Sequence, residues 1–444
     1  MNYSYKTIFL INFPVMMSVL VEQLINITDA IFLGRVGETE LGASAIAGIY
    51  YLALYMLGFG FSLGLQVVIA RRNGEGRYTE TGKTFYQGLW FLMAMAVVWL
   101  ILSAILSPHL LKYLVSSEEI YLAVMDYLYW RSYGLLFIFP SLAFRAFYVG
   151  ITQTKSLTAN ALVMVATNIV LNWVLIFGKL GMPALGISGA AMASSLSEGV
   201  SLLMFIAYTA CKLDKRKYGF SISFNPRILV QVIKISVWSM IHSFLGVAPW
   251  LLFFISIEHL GKSQLATANI LRSISSVFFV LVNSLASTTA SLVSNLVGSG
   301  RSGEIGRLVK RIIFLGYALG IPLIASALIF HKTVIGIYTS EENILSMAFV
   351  PYVVMLLNYV FALPGYVMLN VVNGVGATRR AFVFQLITVA VYLLYLRLLN
   401  TLPGVPLAVY WTVEYVYVIS LLIMSWIFIK KRHSPLNQTS ENML

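Results

Sequence analysis

The stretch Ile69-Ala70-Arg71-Arg72-Asn73-Gly74-Glu75-Gly76-Arg77, followed by Glu80, Gly82 and Lys83, returns 224 residues later as Val293-Ser294-Asn295-Leu296-Val297-Gly298-Ser299-Gly300-Arg301, followed by Glu304, Gly306 and Arg307. At the same offset Phe137, Pro140, Gly150, Thr154 and Lys155 fall on Phe361, Pro364, Gly374, Thr378 and Arg379, and Ser116 and Glu118 on Ser340 and Glu342. Unrelated apolar segments coincide in leucine and valine. Glycine and proline control backbone geometry, so their recurrence together with loop charges marks a repeated backbone.

Each copy of that stretch separates two long apolar runs. Such runs recur near 8–33, 46–70, 86–107, 127–149, 157–178, 186–210, 228–257, 268–296, 312–330, 345–372, 382–400 and 406–429. About 20 apolar residues cross a ~30 Å hydrocarbon core as a helix, whereas a transmembrane barrel shows ~10-residue alternating segments. Composition agrees: 59% of the 444 residues are hydrophobic and 11% charged, with mean hydropathy +0.84, against roughly 45–50% apolar and about 25% charged in soluble domains. The pattern predicts an all-α integral membrane protein, with twelve transmembrane helices in two pseudo-symmetric six-helix bundles. The first run is too long for a signal-peptide core, lacks a small-residue cleavage site and is expected to be retained. An even number of spans per half gives both halves the same orientation. Secondary transporters of that plan place substrate at the repeat interface and rock one half against the other. The halves are drawn at 1–211 and 228–432, with 212–227 a cytoplasmic linker and 433–444 a disordered cytoplasmic tail.

The net charge of +13 follows topology. With the N-terminus in the cytoplasm, 21 of 30 Lys and Arg fall on inner connections, seven outside (Arg131 among them), and two, Arg145 and Arg272, within spans. That bias is the positive-inside signature. Both termini are expected to be cytoplasmic, in a bacterial-type inner membrane, with lipid rather than nucleic acid as the large partner and a monomer as the unit.

Several chemistries are excluded. The single cysteine, Cys211, cannot form an intrachain disulfide. Gly261-Lys262-Ser263 lacks the glycine that a phosphate loop needs five positions earlier, where Ser256 stands. His242, the one histidine in a span, has no catalytic companion. No enzyme activity and no cofactor are expected; H⁺ or Na⁺ would be the driving ion.

A charged side chain inside a membrane helix costs several kcal/mol and is a functional candidate by default. Asp29 lies deep in the first run, with Asn26 and Glu22 on the same helical face. Asn168 and Asn172, at i and i+4, share a face of the fifth run. A carboxylate there can take up and release a proton, or carry the charge of a Na⁺ site completed by amide and hydroxyl oxygens. Arg145 and Arg272 could clamp an anion or act as counter-ions. Tyr50, Tyr51, Tyr55, Phe59, Trp250, Tyr359, Phe361 and Tyr366 could wall a cavity for planar or cationic amphipaths. Glu414 in the last run reads as structural.

The order of motifs resembles the multidrug and toxic compound extrusion (MATE) family: Pro14, Gln23 and Asp29-Ala30-Ile31-Phe32-Leu33-Gly34-Arg35-Val36-Gly37, then Ala70-Arg71-Arg72-Asn73-Gly74, then Asn168 to Gly178 and Gly186-Ile187-Ser188-Gly189-Ala190-Ala191. The resemblance implies a V-shaped pair of bundles that export small amphipathic substrates, cationic or aromatic, against H⁺ or Na⁺. It further implies a cation site at Asp29, Tyr129, Asn168, Asn172 and Ser194. Family prototypes often carry aspartate at the position of Asn172, and glutamine at those of Glu22 and Glu198. These two acids could therefore rebuild a missing charge or pair with Arg145. In the C-half, Asn269, Asn283, Asn358, Asn370 and Asn373 stand where helices seven, eight and ten offer no carboxylate, so coupling is expected in the N-half, with H⁺ favoured. Asn283 and Asn370 join Tyr50, Phe59, Arg145, Arg272 and Tyr359 as cavity candidates. The runner-up reading is a lipid-linked oligosaccharide flippase of the same helical plan.

Overall fold

The computed structural model describes residues 3–114, 118–246, 248–258, 260, 262–338 and 342–432. The tail 433–444 lies outside the described residues. Among those residues all regular structure is helical. Eleven helices are long and apolar enough to cross a membrane, twelve when the bent pair Glu118–Ser132 and Leu135–Gly150 counts as one span.

The chain forms two compact units, Phe13–Phe244 and Met1–Asn12 with Leu245–Leu444. The first holds α1 (Tyr5–Gly34) from Phe13 onward, α2 (Glu38–Gly74), α3 (Tyr78–Leu114), α4 (Glu118–Ser132), α5 (Leu135–Gly150), α6 (Lys155–Phe177), α7 (Gly186–Lys212) and α8 (Pro226–Leu245). The second holds α9 (Ala248–Glu258), α10 (Lys262–Gly298), α11 (Ile305–Ile329), α12 (His331–Gly336), α13 (Glu342–Leu357), α14 (Tyr359–Gly374), α15 (Thr378–Thr401), α16 (Leu407–Tyr410) and α17 (Val413–Arg432).

In the first unit α8 packs on α2 through glycines. A Cβ at Gly60 would come within 2.5 Å of Ser239 O, and one at Gly64 within 2.3 Å of Ser236 Oγ, so only a bare backbone permits the approach. The segment drawn as a linker is pinned to α3: Gly82 N donates to Tyr218 O (2.9 Å), Gln87 Nε2 donates to Ser223 O (2.7 Å), and Phe220 stacks on Phe85 (5.0 Å). Phe85, Phe139 and Phe147, each almost fully buried, centre the core of this unit. In the second unit Asn12 is held by α10: it donates to Ser284 Oγ (3.4 Å) and accepts from Thr288 Oγ1 (3.0 Å).

The 224-residue offset is visible in the packing. A Cβ on Gly150 would meet Ile69 at 2.8 Å and Gln66 O at 3.2 Å; one on Gly374 would meet Ala290 O at 2.7 Å and Val293 at 2.9 Å. Gln66 and Ile69 fall on Ala290 and Val293 at that offset. Arg77 pairs with Glu80 at 2.6 Å as Arg301 pairs with Glu304 at 2.7 Å. The α4–α5 bend of 48° lies at Gly134, and α13 gives way to α14 at Asn358, its counterpart in the repeat.

Candidate functional site

Asp29, on α1, is partly buried and reaches α6 and α7. Asn172 Nδ2 donates to its Oδ1 (2.6 Å) and Ser194 Oγ to its Oδ2 (2.8 Å). The same Asn172 amide donates to Asn168 Oδ1 (3.1 Å), and Asn168 Nδ2 donates to Ser194 Oγ (3.2 Å). The i, i+4 spacing puts both asparagines on one face of α6, fully buried. Small residues on α7 let the helices close: a Cβ on Gly189 would lie 2.6 Å from Leu175 O. Asn172 Oδ1 is buried with no hydrogen-bond partner. The structure thus brings Asp29, Asn168, Asn172 and Ser194 into one network. The side chains of Glu22 and Asn26 lie outside the described residues.

A second buried acid adjoins this network. Arg131 clasps Glu198 bidentately, Nη2 to Oε1 at 2.6 Å and Nη1 to Oε2 at 2.8 Å. Its guanidinium lies over the Tyr51 ring at 3.7 Å, and Tyr51 Oη donates to Glu198 Oε2 (3.2 Å). Two expectations are corrected here. Arg131 is not an outer-loop charge: it occupies the last turn of α4, before the bend, and turns inward with its side chain 12% exposed. Glu198 pairs with Arg131 and not with Arg145. The ion pair lies against Gly134, where a Cβ would sit 2.4 Å from both Arg131 Nη1 and Glu198 Oε2.

Tyr129 points elsewhere, 60% exposed and packed on Trp130 and Tyr133. Buried Tyr127, two residues earlier on α4, is the tyrosine within electrostatic reach of Asp29 and Arg131. Arg145, 7% exposed, lies over Phe59 at 5.1 Å and makes no ion pair among the described residues. Tyr50 donates to Ser103 Oγ (3.2 Å).

In the second unit Arg272 lies over Phe254 at 5.3 Å, Asn283 is exposed, and Asn370 Nδ2 donates to Tyr366 O (2.9 Å). Tyr359, which donates to Gly316 O (2.8 Å), lines a narrow cleft of about 30 Å³. Trp250, Ser275, Asn358, Trp411 and Glu414 line it too. Glu414, set aside above as structural, is 8% exposed there and accepts from Tyr392 Oη at 3.3 Å. The available signal was local. Glu414 stands in the first turn of α17, beyond the short α16 and the Pro- and Gly-broken segment Pro403-Gly404-Val405-Pro406, and discontinuous membrane helices mark binding sites.

Apolar helices of spanning length with carboxylates held inside define a multispan membrane protein with functional charges in its interior. The family model MatE matches residues 14–174 and again 239–398, one match on each copy of the repeat. The chain belongs to the MatE family. The "Probable multidrug resistance protein NorM" of Mannheimia succiniciproducens is 24% identical over 347 residues, 77% of this chain and 74% of the relative. A MOP superfamily transporter from Pyrococcus furiosus superposes with a TM-score of 0.85 at 18% identity, over 96% of this chain and 95% of the other. The Vibrio cholerae MATE transporter VcmN in its bent form gives 0.80 at 18% identity, over 95% and 94%. At such identities the structural likeness concerns the fold alone.

Proposed function

We propose that this protein exports small amphipathic molecules by antiport against an inward cation flow, with Asp29 as the coupling group. One observation carries this reading: among the described residues Asp29 accepts from the neutral donors Asn172 and Ser194 of two other helices and forms no ion pair, so its charge is open to exchange with a cation. Glu198 does not supply a second free charge, because Arg131 already neutralises it. A single carboxylate with amide and hydroxyl neighbours suits a proton better than a Na⁺ cage built on two acids, which favours H⁺. The NorM name of the relative supports a broad range of drug-like substrates. The excess of Lys and Arg on one set of connections supports cytoplasmic termini, in a bacterial-type inner membrane. Alternating access then lets water reach Asp29 from one side at a time.

The test is substrate uptake into proteoliposomes with ΔpH and ΔNa⁺ imposed separately. Uptake is expected to follow ΔpH and to vanish in Asp29→Asn while substrate binding persists. Uptake driven by ΔNa⁺ alone overturns the proton assignment, and undiminished transport by the variant overturns the site.

A further inference from the structure

We propose that Arg131 sets the ion choice of the Asp29 site: its guanidinium is a built-in cation that takes Glu198, the second carboxylate a metal ion would need, and leaves Asp29 to a proton. This deepens the export reading and rests on it for Asp29 as the ion-exchanging group.

Asp29 and Glu198 occupy adjoining levels of one buried site. Ser194 donates to Asp29 Oδ2 (2.8 Å), and Glu198 stands at i+4 from Ser194, one turn along the same face of α7. α4 repeats the spacing: buried Tyr127 is within electrostatic reach of Asp29, and Arg131 stands at i+4 from it. The charge of Asp29 also reaches those of Arg131 and Glu198.

Without Arg131 these groups would suit a metal ion. Two carboxylates, the Tyr127 and Ser194 hydroxyls and the Asn172 amide come together from α1, α4, α6 and α7. Asn172 Oδ1 is buried with no hydrogen-bond partner, an acceptor with capacity to spare. With Arg131 present the set does not fit Na⁺. The guanidinium holds both Glu198 oxygens, at 2.6 and 2.8 Å, and lies over the Tyr51 ring at 3.7 Å. It is not deprotonated in proteins. A Na⁺ ion at Asp29 would therefore meet one acid and a fixed like charge, which repels it strongly in a low-dielectric interior. A proton forms a covalent bond to one carboxylate oxygen and needs no coordination shell.

The repeat shows that the fold does not require this ion pair. At the 224-residue offset Arg131, Glu198 and Tyr51 fall on Met355, Leu422 and Ser275, and Asp29 falls on Phe253. The second copy still breaks its helix at the matching place, Asn358. The arginine, its carboxylate and its ring stand together where the acid stands and are missing together where it is missing, as parts of one ion site.

The experiment is equilibrium binding of labelled Na⁺ to the full chain in lipid nanodiscs, with choline chloride holding the ionic strength constant. Arg131→Ala should bind Na⁺ saturably and about tenfold or more tighter than wild type, the gain expected when a juxtaposed like charge is removed. Adding Glu198→Gln or Asp29→Asn to that variant should abolish the gain, because both acids are needed. Arg131→Lys keeps a cation without the fork and should stay as indifferent to Na⁺ as wild type, which a packing role for the arginine does not predict. Arg131→Gln keeps the length, loses the charge and decides the matter if the alanine variant fails to fold. Na⁺ binding by wild type as tight as by the neutral variants, or no gain in either of them when folded, overturns the proposal. The measurement involves no transport, so a failed export reading shows only in the uptake assay and leaves this result standing.

Discussion

The two units carry one backbone pattern and two kinds of buried acid. In the first, Glu198 is saturated by Arg131 and Tyr51, while Asp29 accepts from the neutral donors Asn172 and Ser194 and forms no ion pair among the described residues. In the second, Glu414 has Tyr392 and a wall of rings. The helix break is shared, at Gly134 and at Asn358. A repeat therefore conserves where helices bend and where backbones touch, while the buried acids sit at different positions of the two copies: Glu198 falls on Leu422 and Glu414 on Ala190.

The comparison breaks most sharply at Asp29. Asp29→Asn should reduce ΔpH-driven uptake to the level of empty liposomes. Next in size is the ion pair. Arg131→Leu leaves Glu198 buried and unpaired, an expected loss of about 3–5 kcal/mol, read as a fall in the detergent unfolding midpoint; Arg131→Leu with Glu198→Leu should recover most of it. Gly134→Ala forces a methyl group to within 2.4 Å of both members of that pair and should cost about 1–3 kcal/mol. Asn358→Ala, at the matching bend, has no such clash to create, and its unfolding midpoint should stay close to wild type.

Much of the site was legible in sequence, residue by residue. Asp29 stood out because a carboxylate in an apolar run is costly, and Asn168 with Asn172 because their spacing puts both on one face. Tyr129 shows the limit: two residues along a helix rotate a side chain by about 200°, and Tyr127 faces the acid instead. Arg131 read as a loop charge because its run begins near the same point, and the bend at Gly134 that turns it inward leaves no mark in hydropathy. Glu414 was visible as an acid after a broken segment, but its surroundings come from α9, α10, α13, α14 and α17, far apart in the chain.

Composition and the 224-residue repeat alone determined that this chain is a helical membrane protein of duplicated design, because helix length, hydropathy and glycine spacing are local properties. Which charges meet was decided only by the tertiary structure. Glu198 finds Arg131 at 2.6 Å, and Glu414 finds rings and no cation among the described residues. Partnership between buried charges depends on helix bends and rotations of a few ångströms, and those arise from packing between segments that the order of residues does not place side by side.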